Sequence, residues 1–257
     1  MPHILVTNDD GVDAPGLLAL AQALRDLGQV TVFAPNHNWS VAGHSKTMHK
    51  PLRAWSVTLE DGSAALTSDG APSDCVALAA LGLVKSGIDL VVSGINTTPN
   101  LGYDVTYSGT VAAAMEAAIS GWPGIAVSLD YDDAGGGVRH WRTAAACALV
   151  IAGWVLRSGL PTSTLLNVNV PNLPLAAIKG YRATRLGQRV YRDVLVERTD
   201  PRGAPYYWIG GDPPTGLQEA GTDLEALSHG YVSVTPLHMD MTHRPLLDAI
   251  SIGISGL

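Results

Sequence analysis

Short, fully apolar runs alternate with helical stripes along the first two-thirds of the chain. Ile4-Leu5-Val6, with His3 and Thr7 beside them, reads as a buried strand. From Pro15 to about Leu27 the apolar positions Leu17, Leu20, Ala21 and Leu24 fall at helical spacing, and Gly28 supplies a C-cap. Val30 to Ala34 is a second strand, so the first 34 residues form a strand–helix–strand unit of a parallel sheet. Leu52 to Leu59 and Ala64 to Thr67 flank Glu60-Asp61-Gly62, a hairpin signal. A helix is predicted from Gly70 to about Leu83, with Pro72 near its start, then a strand from Ile88 to Val92. Tyr107-Ser108-Gly109-Thr110 opens a helix whose stripe is Val111, Ala114, Met115, Ala118 and Ile119. Strands at Gly124 to Leu129 and Thr164 to Val170 enclose a polar loop, 130–137, and a long helix from Arg139 to Arg157.

The texture changes near Gly180. Tyr181 to Leu186, Val190 to Arg198 and Tyr206 to Ile209 read as strands, with a turn at Asp200-Pro201-Arg202-Gly203 and a break at Asp212-Pro213-Pro214. This predicts an antiparallel arm over 180–215, appended to the sheet and suited to pairing with another subunit, because bare strand edges seek partners. Tyr231 to Pro236 returns as a strand, and Leu246 to Ile254 is a terminal helix or tail. With no internal repeat, 1–257 is expected to be a single domain.

Composition narrows the classes. Hydrophobic residues make up 46% and charged residues 15% of the 257, which describes a globular chain with ample core material. A net charge of −7 argues against a broad grip on nucleic-acid backbone, though a metal could still present a small anionic substrate with positive charge. Cys75 and Cys147, the only cysteines, sit in apolar surroundings and read as buried free thiols compatible with a reducing cytoplasm. The apolar run Ala144 to Leu156 is too short to span a bilayer, and the N-terminus opens on a strand with no secretion signal.

Candidate chemistry gathers at the carboxyl ends of the predicted strands, where open α/β sheets bind ligands. Asn8-Asp9-Asp10-Gly11 follows the first strand. Two adjacent acids there are costly without a cation or a proton; the alternative is that one of them caps the following helix. The loop holding Ser40, Gly43, His44 and Ser45 leaves the second strand, and the loop holding Asn96 and Asn100 leaves a third. These offer carboxylate, hydroxyl and amide oxygens and no thiolate, a set suited to Mg²⁺ or Mn²⁺. The helix start Ser108-Gly109-Thr110 has the opposite preference, because free N–H groups there bind anions; an ordinary Ser N-cap is the plainer role. A haloacid-dehalogenase-like phosphatase would need Asp where this chain has Asn8, and a carboxamide cannot be the covalent nucleophile.

A resemblance covers nearly the whole chain. It rests on Asn8-Asp9-Asp10-Gly11 with Ala14-Pro15-Gly16, Ala34-Pro35 with Ser40 and Gly43-His44-Ser45, and Pro72-Ser73-Asp74-Cys75. Val92-Ser93-Gly94-Ile95-Asn96, Asn100-Leu101-Gly102 and the run from Tyr107 to Glu116 continue it. Leu166-Asn167-Val168-Asn169-Val170-Pro171, Thr222-Asp223 and Gly230 to Leu237 complete it. In this order the motifs resemble the survival-protein-E (SurE) family of metal-dependent nucleotidases. The resemblance implies an α/β fold with a three-layer Rossmann-like core, its sheet mainly parallel, plus the appended antiparallel β-hairpin arm. It implies one divalent metal, Mg²⁺ or Mn²⁺, per subunit, held by Asp9, Asp10, Ser40 and Asn96. Asn8, Ser108, Gly109 and Thr110 match the phosphate-facing positions, with Asn8, Asp9 and Asp10 as the catalytic group and Gly43, His44, Ser45 and Asn100 in active-site loops. The implied substrates are nucleoside 5′- and 3′-monophosphates, with short polyphosphate beside them. The implied protein is a cytoplasmic homo-oligomer, dimer or tetramer, exchanging a C-terminal segment (229–257), with no membrane and no stable nucleic-acid partner. One departure is Trp39, where many members carry Arg; an indole there could stack on a base or simply pack.

Overall fold

The computed structural model describes residues 1–85, 87–131 and 136–254. In chain order the elements are β1 (His3–Thr7), α1 (Pro15–Leu24), β2 (Gln29–Pro35), β3 (Ala54–Thr58), β4 (Ala64–Ser68), α2 (Pro72–Leu78), β5 (Leu90–Asn96), α3 (Gly109–Ile119), β6 (Gly124–Asp130), α4 (Trp141–Ser158) and β7 (Thr164–Pro171). They continue as β8 (Tyr181–Ala183), β9 (Arg189–Thr199), β10 (Pro205–Gly216), α5 (Asp223–Ser228), β11 (Val232–His238) and α6 (Arg244–Ile254).

The fold is α/β. One nine-stranded sheet has the order β3-β4-β2-β1-β5-β6-β7-β11-β8, and β9 and β10 form a separate antiparallel pair. Strands β4, β2, β1, β5, β6 and β7 run parallel, while β3 and β11 pair antiparallel with β4 and β7. Alternate residues of each central strand feed two different cores, because successive side chains point to opposite faces. Ile4 and Val6 pack with Leu17, Leu20 and Leu24 of α1 and Ala148 and Ala152 of α4. Leu5, Phe33 and Val91 pack on the other face with Cys75 and Val76 of α2 and Ala113 and Ala117 of α3. A strand buried on both faces has no room for polar alternation, which explains the unbroken apolar runs in the sequence.

Several expected details shift. The helix from Gly70 splits into α2 and a wider turn over Ala79–Leu83, ended by Gly82 at φ 105°. β5 starts later than Ile88 and extends to Asn96, carrying that residue to the strand end. β8 lies in the main sheet beside β11, so the separate hairpin begins at Arg189 rather than near 180. Pro213-Pro214 does not end the last strand; the ladder is interrupted between Asp212 and Thr215 and then resumes to Gly216. Part of the polar loop expected over 130–137, residues 132–135, lies outside the described residues. Cys75 and Cys147 are both buried free thiols. Among the described residues no helix is long and apolar enough to cross a membrane.

β1 is the pivot. The chain steps from β1 to β2 on one side and later returns to place β5 on the other. The crevice outside the carboxyl ends of β1 and β5 is therefore a topological switch point, where such sheets bind ligands. The helix α1 that supports β1 carries Leu20 with no exposed surface. Truncating Leu20 to Ala is expected to lower stability by about 2–5 kcal/mol. Urea denaturation should show the midpoint falling with an unchanged slope; a loss under about 1 kcal/mol would mean the α1 core collapses around the gap.

Candidate active site

The turn after β1 is built by Asn8. Its Nδ2 donates to the Gly11 carbonyl at 2.9 Å and its Oδ1 accepts from the Gly11 N–H at 3.2 Å. Gly11 has φ 107°, a left-handed conformation that costs glycine little. The structure thus spends both ends of the Asn8 amide on the chain reversal, and Asn8 does not line the cavity beside it.

The same turn drives Asp9 inward. Asp9 is only 3% exposed, and neither acid caps α1, whose N-cap is Ala14. Asp9 meets the start of a different helix: the Thr110 hydroxyl donates to its Oδ1. Burial pushes the Asp9 carboxyl up from its usual range, against the opposing pull of the Thr110 hydroxyl and the N–H groups around it, those of Gly109 and Thr110 included. Gly109 is required by proximity, since a Cβ there would lie 2.8 Å from the Asp9 Cβ and 2.9 Å from its Oδ2. Ser108 is the N-cap of α3, its Oγ accepting from the Val111 N–H at 3.1 Å. The expected anion-binding helix start and the expected cation-binding acid are therefore in direct contact.

Ser40 and Asn96 join Asp9 and Ser108 in lining a cavity of about 550 Å³ at the strand ends. Asn96 donates its Nδ2 to the Thr98 carbonyl at 2.7 Å, so the amide oxygen is the end left over. Asp10 is half-buried and does not line this cavity; Asn38 donates to its Oδ1 at 3.3 Å. A groove of about 650 Å³ between α1 and α4, with Leu18, Trp141 and Leu149 in its wall, shares no lining residue with this cavity.

The residues suit a hard divalent cation. Asp9 is a buried carboxylate with no ion pair among the described residues, the Asn96 oxygen is uncommitted, and every expected donor is an oxygen. Among the described residues no three His, Cys, Asp or Glu side chains gather, and the expected set contains only two such residues, Asp9 and Asp10.

The loops are held by partners far along the chain. The Trp39 N–H donates to the Asp9 carbonyl at 2.7 Å, which ties the residue before Ser40 to β1. The Trp39 ring leans on His37, with centroids 5.1 Å apart, and does not line the cavity, so packing describes it better than base stacking. Gly43 N–H donates to the Tyr107 carbonyl at 2.9 Å. His44 and Lys46 both reach Glu116 on α3, at 3.1 and 2.9 Å, and Ser73 and Asp74 hold Ser45 and Thr47. Asn100 lines the same cavity. Its backbone is held by Asn167 and Asn169, and its Nδ2 donates to Ser128 Oγ at 2.8 Å. His238 and Asp240 serve a local turn, with Asp240 paired to Arg244.

Comparisons with known proteins place the chain in a family. The family model described as survival protein SurE matches residues 4–193. The chain belongs to the SurE family. Curated relatives named 5′-nucleotidase SurE include one from Chloroflexus aggregans, 51% identical over 249 residues, covering 96% of this chain and 97% of that protein. Another, from Herpetosiphon aurantiacus, is 51% identical over 252 residues and covers 98% of both. The crystal structure of the SurE protein from Aquifex aeolicus superposes with a TM-score of 0.82 at 41% identity, covering 98% of this chain and 99% of that one.

Asp104, Tyr107, Tyr131 and Arg189 also line the cavity of this SurE-family chain, and sequence reasoning did not place them there. Asp104 and Tyr107 had a usable signal, because Asp104 lies between two recognised motifs and Tyr107 opens the second; Arg189, on the distant arm, had none. Two outcomes are expected. Gly109→Ala pushes Asp9 aside, and displacement of about 1 Å in such a site costs on the order of 100-fold in kcat/KM; steady-state rates would check this, with unaltered rates counting against the close contact. Glu116 is held below its usual range by the His44 hydrogen bond, with Lys46 adding to it against burial. Its contribution to stability is present above the unfolded-state value and fades as pH falls through the lower folded-state value. Glu116→Gln should therefore flatten the acid side of a stability–pH curve, measured by denaturant titration from pH 7 downwards.

Proposed function

We propose that this chain is a 5′-nucleotidase, a phosphoric monoester hydrolase that releases phosphate from nucleoside 5′-monophosphates and also from 3′-monophosphates, with short polyphosphate as a further substrate. The observation that carries the reading is the contact between the buried Asp9 carboxylate and the start of α3 inside one cavity with Ser40 and Asn96. Relatives of about the same length, half identical to this chain, bear the name 5′-nucleotidase.

In this proposal Asp9, Asp10, Ser40 and Asn96 hold one Mg²⁺ or Mn²⁺. When bound, the ion supplies Lewis-acid stabilisation of the phosphoryl oxygens and lowers the pKa of a coordinated water. The protein's own groups do the positioning. Asp9, kept in place by Thr110 and the crowding at Gly109, presents its carboxylate at the cavity floor. The Ser108-Gly109-Thr110 helix start places partial positive charge beside the phosphate, where negative charge grows during transfer. Asn8 fixes the turn from which Asp9 and Asp10 project, and its second Nδ2 hydrogen is proposed to face the phosphate.

The enzyme is proposed to work in the cytoplasm as a dimer or tetramer. Supporting this, the hairpin exposes Leu195, Tyr207, Trp208 and Ile209, and α6 exposes Leu246, Leu247 and Ile250. Exposed apolar faces of this kind suit subunit contacts. The single-domain organisation over 1–257, with 229–257 as an oligomerisation segment, belongs to the same proposal.

The test is phosphate release from AMP and GMP with Mn²⁺ or Mg²⁺, before and after chelation. Release should stop on chelation and return when metal is restored. Asp9→Asn should abolish release while leaving the circular-dichroism spectrum unchanged. Near-normal turnover by that variant with metal present would sink the assignment; tight nucleotide binding without release by the native chain would make it a regulator instead.

A further inference from the structure

The cavity has two chemically different sides. Asp9, Ser40, Asn96 and Ser108 form the polar side. Facing the same space are Tyr107, Arg189 and the prolines Pro213 and Pro214. The last three come from the root of the hairpin, more than 80 residues further along the chain than Asn96. They are fixed there by Asp104, which accepts from Arg189 Nε and from the Tyr191 hydroxyl, both at 2.6 Å. Arg189 also donates to the Pro214 carbonyl at 3.3 Å. The two prolines sit at the interruption of the β9–β10 ladder, where the missing N–H groups cost nothing and the rings are free to form a surface.

We propose that this hairpin root and Tyr107 form a nucleoside-recognising wall that makes the site prefer nucleotides to other phosphate esters, with short polyphosphate the poorer of its two substrate classes. The inference rests on the nucleotidase reading and specifies how it is achieved. Flat surfaces such as a phenol ring and a guanidinium plane stack on any base, because every base has a π-face. Tyr107 is 57% exposed and immediately precedes the helix cap Ser108, so its ring is open to a ligand whose phosphate rests at the helix start. The charge balance of the wall argues in the same direction. Arg189 is the one cationic side chain lining the cavity among the described residues, and Asp104 already matches it, with Asp9 and Asp130 adding further acids. A chain of phosphates would find no unmatched side-chain cation beyond the metal position, whereas a neutral nucleoside needs none.

The experiment compares kcat/KM for AMP, glycerol 2-phosphate and tripolyphosphate, with Mn²⁺, in the native chain and in Tyr107→Ala, Tyr107→Phe and Asp104→Asn. Tyr107→Ala should lower the AMP-to-glycerol-phosphate ratio about tenfold, mainly through KM, as expected for one lost stacking contact. Tyr107→Phe keeps the ring and should restore the ratio. Asp104→Asn frees the hairpin root and should lower the ratio in the same sense. A ratio unchanged in Tyr107→Ala, or a Phe variant as poor as the Ala one, overturns the wall while leaving the nucleotidase reading intact. A native chain that releases no phosphate from any of the three overturns the nucleotidase reading and the wall with it.

Discussion

A buried carboxylate against the first turn of a helix is the constraint on which this molecule turns. Asp9 has almost no contact with solvent, and its compensation is the Thr110 hydroxyl and the N–H groups at the start of α3. A charge taken out of water is tolerated only when such partners are already in place. β1 must therefore end where α3 begins, although about a hundred residues separate them in the chain. The parallel order β2-β1-β5 brings this about, because β5 lies beside β1 and feeds α3 from the same edge. Gly109 is the small residue that permits the approach.

Once that contact is set, the surrounding loops have little freedom. The loop after β2 is tied to β1 through the Trp39 N–H, to the residue before Ser108 through Gly43, and to the body of α3 through Glu116. The loop after β5 is braced from β7 by Asn167 and Asn169. Helix α3 thus serves as a common anchor: its start meets Asp9, and its middle holds the segment just beyond Ser40. Preorganisation of this kind lets charge stabilisation act without rearrangement during a reaction.

The hairpin adds a second layer of organisation. Its middle is apolar and exposed, while its root is latched by Asp104 against the cavity. One element therefore touches both the surface suited to subunit contact and the wall of the site.

The order of strands and helices, the two-faced burial of the central strands and the family motifs were all legible in the sequence, because each is written in local periodicity or in contiguous residues. Leu5 and Ile4 had to face different cores once both were apolar neighbours in one strand. The chemistry of the site was legible as residue types: two acids, a hydroxyl, an amide and a helix cap. What each did was not. The bracing of the turn by Asn8 is visible only in its hydrogen bonds to Gly11. The Asp9-Asp10 pair looked like one unit, yet only Asp9 lines the cavity. Arg189, Pro213 and Pro214 could not be connected to the site at all, since a hairpin's pattern records its own pairing and nothing about what its root leans on. Periodicity fixes which face of an element is buried; only closure of the chain over long separations decides which distant polar groups meet there, and the cost of leaving them unpaired makes that meeting specific.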